Sequence, residues 1–160
     1  MQLKLTPQAK SNWCWAAVAA SIARYYYPGH NHKPLDVVRH LIDLDKCCGG
    51  IGTQCKVCNK NWQITDALRF FKINFVTHPG RCDYRKLCEE LDAGFPIVAV
   101  IRWRDGQHHF VLITDHKENG RLLIQDPKSG DHVLPLQQFT FFYLGEGAWV
   151  GSFFTRPQNV

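Results

Sequence analysis

Residues 13 to 27 read WCWAAVAASIARYYY, and this stretch decides the fold. Alanines and larger apolar side chains occupy nearly the whole circumference of the helix it would form, which is typical of a helix buried on all sides. We therefore predict a central helix here. Ser11 or Asn12 is expected to cap its first turn, and Pro28 and Gly29 are expected to end it.

Three more helices are expected after the central one. Apolar side chains recur at helical spacing over residues 35 to 44 and again over residues 63 to 72, which predicts a helix in each. Asp83 is placed to cap a fourth helix, which is expected to end at Gly94 because glycine commonly terminates helices. The glycine-containing and cysteine-containing stretch at residues 45 to 61 is interpreted as an irregular loop.

The C-terminal half changes to runs of β-branched and apolar residues, which favour strands. The Asn119-Gly120 dipeptide is typical of a hairpin turn. Helices followed by antiparallel strands indicate an α+β fold, in which the buried helix packs on the sheet. The length fits a single domain over residues 1 to 160. The expected strands are residues 96 to 103, 109 to 115 and 121 to 125, with a final pair at residues 131 to 134 and 148 to 155.

Composition argues against several classes of function. Hydrophobic residues make up 45% of the chain, which is enough for a packed core, so disorder is not expected. The net charge of +5 comes without a long run of Lys and Arg, so no nucleic-acid partner is expected. No apolar stretch is long enough to span a bilayer, and residues 1 to 13 lack the apolar core of a secretory signal.

Cys14 is the first candidate for chemistry. It stands in the first turn of the predicted helix, where unpaired backbone N–H groups and the helix dipole favour a negative charge. Cysteine reacts as the thiolate, and such a position favours the thiolate form. Trp13 and Trp15 flank it and can shield it from water. The alternative is that Cys14 is a small buried apolar residue, which would be preferred if no partner were present.

A nucleophilic cysteine needs a base, and the base needs a group that orients it. The predicted hairpin supplies both, because His109 opens its first strand and Asp126 follows its second strand. A turn centred on Glu118 and Asn119 places these two side chains near each other at the open end of the hairpin. Asp126 can then accept a hydrogen bond from one imidazole nitrogen and leave the other facing the thiol.

His108 competes with His109 for the role of base. Side chains alternate between the two faces of a strand, so only one of the two histidines can point at Cys14. We prefer His109, because Phe110 and the alternate residues after it then share the opposite face. The pattern alone separates the two histidines by a narrow margin.

Acyl transfer also needs hydrogen-bond donors for the negative charge that forms on the carbonyl oxygen. The backbone N–H of Cys14 is one candidate. Gln8, upstream on the incoming loop, is the other through its side-chain amide. Taken alone, Gln8 is better interpreted as an exposed loop residue.

Four motifs follow one another along the chain. They are Gln8 with Cys14-Trp15-Ala16-Ala17, residues 91 to 98 (LDAGFPIV), residues 109 to 113 (HFVLI) and residues 125 to 127 (QDP). In this order and spacing they resemble the papain-like cysteine peptidases. The resemblance is strongest to the bacterial branch, which includes secreted effector and toxin proteases and double-glycine leader peptidases. It extends over residues 8 to 155.

The resemblance gives each motif a role. The implied catalytic residues are Gln8 (oxyanion donor), Cys14 (nucleophile), His109 (base) and Asp126 (orienting acid). Three further residues are implied to contact substrate: Trp15, His108 and Trp149. Trp149 is expected to be the tryptophan that packs near the catalytic histidine. The resemblance implies no cofactor and no catalytic metal.

The chain has seven cysteines, so at least one thiol stays free if the others pair. Cys55 and Cys58 have the spacing of metal ligands, but the adjacent Cys47 and Cys48 are awkward for a four-cysteine zinc site. We therefore prefer disulfides or free structural thiols to zinc in this loop. The sequence leaves open the state of six cysteines: Cys47, Cys48, Cys55, Cys58, Cys82 and Cys88.

The predicted function is that of a cysteine endopeptidase which cleaves a protein substrate through an acyl-enzyme at Cys14. A papain-fold glutamine deamidase or acyltransferase toxin is the alternative, and a non-catalytic binding module is a third hypothesis. The resemblance implies a protein that is secreted or delivered into a target cell, with an immunity or inhibitor protein as a partner. It also makes glycine-rich targets the first to test, because the leader peptidases favour small residues before the scissile bond.

Overall fold

The computed structural model describes residues 1–42 and 58–158. Within them lie five α-helices, which are α1 (Cys14–Tyr26), α2 (Pro34–Leu41), α3 (Ile64–Phe70), α4 (Tyr84–Asp92) and α5 (Leu136–Phe142). The six strands are β1 (Ile73–Pro79), β2 (Ile97–Arg102), β3 (His108–Lys117), β4 (Arg121–Asp126), β5 (Gly130–Pro135) and β6 (Ala148–Pro157). The predicted α+β class is confirmed. In this part of the chain no helix is long and apolar enough to cross a membrane.

All six strands form one antiparallel sheet in the order β1-β6-β2-β3-β4-β5. The prediction that residues 131 to 134 pair with residues 148 to 155 is wrong. β5 pairs with β4 at one edge of the sheet, whereas β6 lies between β1 and β2. Both segments do form strands. Which strands pair, however, depends on how the whole sheet assembles and not on the local sequence.

Two elements were not predicted from the sequence. β1 is an edge strand whose residues are largely exposed, with Val76 among them, so it lacks the alternation that marks a half-buried strand. α5 is a short helix with only Phe139 and Thr140 buried, and the exposed aromatic residues Phe141 and Phe142 hide its periodicity.

The sheet separates two hydrophobic clusters. α1 lies in the first cluster, where α2, α3 and the side chains of Val98 and Leu112 pack around it. Ten of its 13 residues are buried, which confirms the predicted central helix. The second cluster is formed with α4 and α5 on the opposite face, where Val111 and Ile113 point. This division follows from the alternation of side chains along β2 and β3.

Of the two helix caps predicted from the sequence, one is confirmed and the other is wrong. Asp83 caps α4 as predicted, since its carboxylate accepts hydrogen bonds from the backbone N–H groups of Arg85 and Lys86. The cap predicted for α1 is wrong, because the residue at that position is Trp13 and no side chain caps the helix. The polar residues before it bond to a different segment of the chain, as described below.

The β3–β4 hairpin turns at Glu118–Gly120, where Asn119 has a φ of 62°. Asparagine tolerates this left-handed conformation better than most residues. A register shift between Ile113 and Asp115 follows, after which Leu112 lies opposite Gln125. The open end of the hairpin therefore brings the start of β3 next to the end of β4, as the sequence predicted.

Candidate active site

Cys14 is the first residue of α1 and is only 4% exposed. Its backbone N–H belongs to the first turn, whose N–H groups have no acceptor within the helix. The loop before α1 is fastened to Asn59, whose side-chain oxygen accepts from the Asn12 backbone N–H at 2.9 Å. The Asn12 amide donates to the Asn59 carbonyl at 2.8 Å, and the Asn59 amide donates to Ser11 Oγ at 2.7 Å. These bonds fix the helix end that carries the thiol.

His109 and Asp126 form a buried pair at the open end of the hairpin. The distance from His109 Nε2 to Asp126 Oδ1 is 2.8 Å, and the two residues are 5% and 3% exposed. The Asp126 carboxylate also accepts from the Lys128 backbone N–H at 2.7 Å and from the Tyr143 hydroxyl at 2.7 Å. Because Nε2 faces the carboxylate, Nδ1 is the ring nitrogen left for the Cys14 sulfur, with which His109 forms a hydrogen bond.

The charges in this cluster reinforce one another. Burial lowers the pKa of His109, but the hydrogen bonds and charges of Asp126 and Cys14 outweigh it and raise the pKa to about 9. Burial raises the pKa of Asp126, yet the bonds from His109 and Tyr143 hold it well below its usual range. His109 is therefore an imidazolium at neutral pH, and it lies between the Asp126 carboxylate and the Cys14 sulfur.

The structure separates the two neighbouring histidines. His109 points at Cys14 and Asp126, whereas His108 is exposed and lines the cleft that passes Cys14. The alternation of faces along β3 thus gives the two residues different surroundings. His108 is therefore exposed to the cleft, and its contact with substrate stays a prediction.

The tryptophan that covers the histidine is Trp103 and not Trp149. The Trp103 ring stacks on His109, with 5.9 Å between ring centroids and an interplanar angle of 29°. Trp149 is buried in the second cluster, where it packs on Phe139 and its Nε1 donates to the Gly151 carbonyl at 3.0 Å. The expectation that Trp149 packs near the histidine and contacts substrate is therefore corrected, since a ring held there cannot reach the cleft.

Gln8 lies on the loop that leads into α1, where its backbone N–H donates to the Pro127 carbonyl at 2.8 Å. Its side-chain Nε2 donates to the carbonyls of Lys10 and Ser11, at 2.9 and 2.7 Å. In this arrangement both amide hydrogens brace the loop. Donation to an oxyanion would require Gln8 to exchange one of these bonds.

Two grooves meet at Cys14. The groove on the histidine side, called here the His109 groove, has a volume of about 600 Å³ and is lined by Trp103, Lys128 and Leu144 among others. The groove on the other side, the Trp62 groove, has a volume of about 760 Å³ and is lined by Trp15, Trp62 and Phe153 among others. Each volume suits several side chains of a ligand. Trp15 is fully buried at the floor of the Trp62 groove, with its Nε1 donating to the Lys60 carbonyl, and its contact with substrate stays a prediction.

Comparison with known proteins identifies the family to which this chain belongs. Residues 1–142 match the model of the family described as "papain-like cysteine protease AvrRpt2". The chain belongs to this family of cysteine proteases. The peptidase gives no match among curated proteins.

One solved structure supports the same fold. The peptidase is similar, at 21% identity and a TM-score of 0.54, to a double glycine motif protease from an AMS/PCAT transporter that was crystallised with the leader peptide. That similarity covers 98% of this chain and 93% of the other. A second similar structure is the Pseudomonas avirulence protein AvrPphB, with 10% identity, a TM-score of 0.42 and 96% of each chain covered. At 21% identity the likeness to the double glycine motif protease bears on the fold alone.

Sequence reasoning missed three residues that hold the site of the peptidase together. Asn59 fastens the loop before α1, Trp103 covers His109, and Tyr143 bonds to Asp126. None of them lies in a motif, and each becomes visible only through a contact between distant segments. Trp103 had the best local signal, since it lies between β2 and the turn that leads into β3, the strand that contains His109.

The cysteines outside the site are only partly described. Cys82 and Cys88 are free thiols in the structure, and burial raises the pKa of Cys82 to about 11. Cys47, Cys48 and Cys55 lie outside the described residues, so the preference for disulfides or thiols over zinc in that loop stays a prediction.

Proposed function

We propose that the peptidase is an endopeptidase that cleaves a protein substrate through an acyl-enzyme at Cys14, with His109 as acid and base and Asp126 as the orienting group. The observation that carries the proposal is the buried hydrogen-bonded series from Cys14 through His109 to Asp126 at the N-terminus of α1. A helix N-terminus and an adjacent imidazolium are two surroundings that favour a thiolate.

The first half of the reaction forms the acyl-enzyme. The Cys14 thiolate attacks the carbonyl carbon of the scissile bond, and the carbonyl electron pair moves to the oxygen. We expect the backbone N–H of Cys14 to donate to this oxyanion, and Gln8 to join it when its amide exchanges one loop carbonyl for the substrate. The tetrahedral adduct collapses as His109 gives its proton to the leaving amine and the C–N bond breaks.

The second half releases the product. Neutral His109 takes a proton from a water molecule, which attacks the thioester carbonyl. The C–S bond then breaks, the carboxylic acid leaves, and the thiolate–imidazolium pair is restored. Asp126 keeps the same ring nitrogen occupied throughout, so the imidazole returns to the orientation from which it began.

The shape of the cleft favours cleavage within a chain. The His109 groove and the Trp62 groove both reach Cys14 and share Gln107 and His108, but most of their other lining residues differ. A polypeptide can therefore continue on either side of the scissile bond. A site built for a single side chain or a free terminus would need one of these directions to be closed.

The test compares the proteome-wide products of three variants of the full chain. The natural protein, Cys14→Ala and Cys88→Ala are each incubated with a proteome, and new N-termini are identified by mass spectrometry. We expect new termini with the natural protein and Cys88→Ala but not with Cys14→Ala. Persistence of the same termini in Cys14→Ala would overturn the proposal. Conversion of glutamine to glutamate without new termini would instead favour the deamidase alternative.

We also propose that the peptidase acts as an effector or toxin that is secreted or delivered into a target cell. Its membership in the AvrRpt2 family supports this role, and an immunity or inhibitor protein would be its partner. Co-purification of the Cys14→Ala variant with proteins of the producing cell tests the partner. A specific partner should bind over the cleft and protect Cys14 from alkylation in the natural protein.

A further inference from the structure

We propose that Tyr143 is a positioning residue of the active site, which acts by holding the Asp126 carboxylate in the orientation that anchors His109. This inference rests on the proposed function of Cys14, His109 and Asp126. Tyr143 does not touch the cleft or the sulfur, and it lies at the start of the turn after α5. Its importance would come entirely through the carboxylate.

The two oxygens of Asp126 have different partners. Oδ1 accepts from His109 Nε2 at 2.8 Å and from the backbone N–H groups of Lys128 and Ser129 at 2.7 and 3.3 Å. Oδ2 accepts from the Tyr143 hydroxyl at 2.7 Å. A carboxylate that was held through Oδ1 alone could rotate about its bond to the chain and misdirect the imidazole. The bond at Oδ2 removes that rotation.

The Tyr143 hydroxyl lies in apolar surroundings that phenylalanine would fill equally well. Tyr143 is fully buried, and its ring contacts those of Phe139 and Trp103. Burying a hydroxyl in such surroundings is unfavourable unless it is hydrogen-bonded. Here it donates to Asp126 and also bonds to the Ser129 side chain, which lies 2.7 Å from His132 Nε2. The hydroxyl is thus fixed between the carboxylate and a second polar group.

The backbone of Tyr143 is fixed as firmly as its side chain. The N–H groups of Tyr143 and Gly147 each donate to the other residue's carbonyl at 2.8 Å, which closes a tight turn. Gly147 presses against Trp103, since a Cβ added there would lie 2.9 Å from the Trp103 ring. The turn closed by Tyr143 and Gly147 therefore supports both neighbours of the imidazole. Tyr143 holds the Asp126 carboxylate, and Gly147 packs against Trp103.

The test measures how fast iodoacetamide alkylates Cys14 at neutral pH, with the modified peptide identified by mass spectrometry. This rate reports the thiolate–imidazolium pair and needs no protein substrate. We expect Tyr143→Phe to slow the alkylation about tenfold, as for the loss of one charge-assisted hydrogen bond. Tyr25→Phe is the matched control, because it removes a hydroxyl that donates to the Gly94 carbonyl away from the site.

A double-mutant cycle separates positioning from packing. In an Asp126→Ala background, or in Asp126→Asn if the alanine variant does not fold, Tyr143→Phe should have no further effect on the rate. An unchanged rate in Tyr143→Phe alone, or the same slowing in both backgrounds, would overturn the inference. If Cys14 of the natural protein reacts no faster than the half-buried Cys88, the proposed function fails as well, and the two failures are thereby distinguished.

Discussion

The indole of Trp103 lies over the imidazole of His109, and Gly147 packs so closely against Trp103 that it leaves no room for a side chain. His109 and Asp126 are 5% and 3% exposed, and Trp103 covers one face of the imidazole. Hydrogen bonds between charged groups strengthen when water is excluded. We therefore expect the stacking contact to strengthen the hydrogen bond between His109 and Asp126.

Replacing Trp103 should therefore weaken catalysis. We expect Trp103→Ala to lower the rate of Cys14 alkylation and the kcat/KM for a peptide substrate about tenfold, and Trp103→Phe to retain most of both. Trp149→Phe is the contrasting variant, because it removes hydrogen bonds within β6 and should lower the melting temperature without slowing alkylation. The reverse result, in which Trp149→Phe slows Cys14 and Trp103→Ala does not, would contradict the assignment of the covering ring.

The raised pKa of His109 predicts the alkaline limit of activity. Activity should fall as the pH rises through about 9, because the imidazolium that pairs with the thiolate and protonates the leaving amine is lost there. Since Asp126 raises the pKa of His109, Asp126→Asn should move this limit to lower pH. The measurement is the pH dependence of kcat/KM and of Cys14 alkylation. A limit that stays in place in Asp126→Asn would show that another group titrates.

The same shifts bear on the stability of the fold. A raised folded-state pKa means that His109 stabilises the fold below the ordinary pKa of histidine, and this contribution is lost as the pH rises through about 9. Asp126 has a lowered pKa, so its contribution is present above the ordinary pKa of aspartate and is lost as the pH falls below it. Urea unfolding across the pH range should show both losses in the natural protein and much smaller ones in Asp126→Asn.

Gly147 should not tolerate a side chain. A Cβ there would lie 2.7 Å from Ile101 Cγ2 and 2.9 Å from Trp103 Cζ3, so Gly147→Ala forces buried groups apart. We expect the free energy of unfolding to fall by about 1–3 kcal/mol and Cys14 alkylation to slow. Gly29→Ala is the matched control, because nothing lies within 4 Å of a Cβ there and its stability should change by less than about 0.5 kcal/mol. Equal stabilities of the two variants would refute the packing argument.

Asn59 should matter for activity although it is far from Cys14 in the sequence. Asn59→Ala removes the acceptor for the Asn12 N–H and the donor to Ser11, so the loop before α1 is released. We expect a loss of about 1–2 kcal/mol in the free energy of unfolding and a slower reaction of Cys14. Asn74→Ala, at an exposed position of β1, should leave both unchanged. Full activity in Asn59→Ala would show that the helix end is held by other contacts.

The parts of the fold that could be predicted from the sequence are those with a strong local signal. α1 was recognisable because its apolar residues surround the helix, and the β3–β4 hairpin because Asn119-Gly120 fixes its turn. β1 and α5 were missed because an exposed edge strand and a short surface helix lack a clear period. The position of β6 between β1 and β2 depends on contacts across the whole chain, which periodicity does not contain.

The residues of the candidate site also differ in whether the sequence predicts them. Cys14, His109 and Asp126 were predictable because each stands at the end of an element with a clear sequence signal, and the hairpin register brings the last two together. Tyr143 and Trp103 were not, since their roles arise from distances of a few ångströms between segments with no common motif.

The division of the interior into two clusters has a consequence for how this enzyme fails. Cys14 lies on a helix of the first cluster. Tyr143 and Trp103, which contact Asp126 and His109, pack with the second cluster. The Cys14 sulfur and the His109 imidazole are therefore aligned only while both clusters stay packed against the sheet. Mild heating or denaturant that loosens one layer should abolish turnover before most of the secondary structure is lost, so inactivation would serve as an early reporter of partial unfolding.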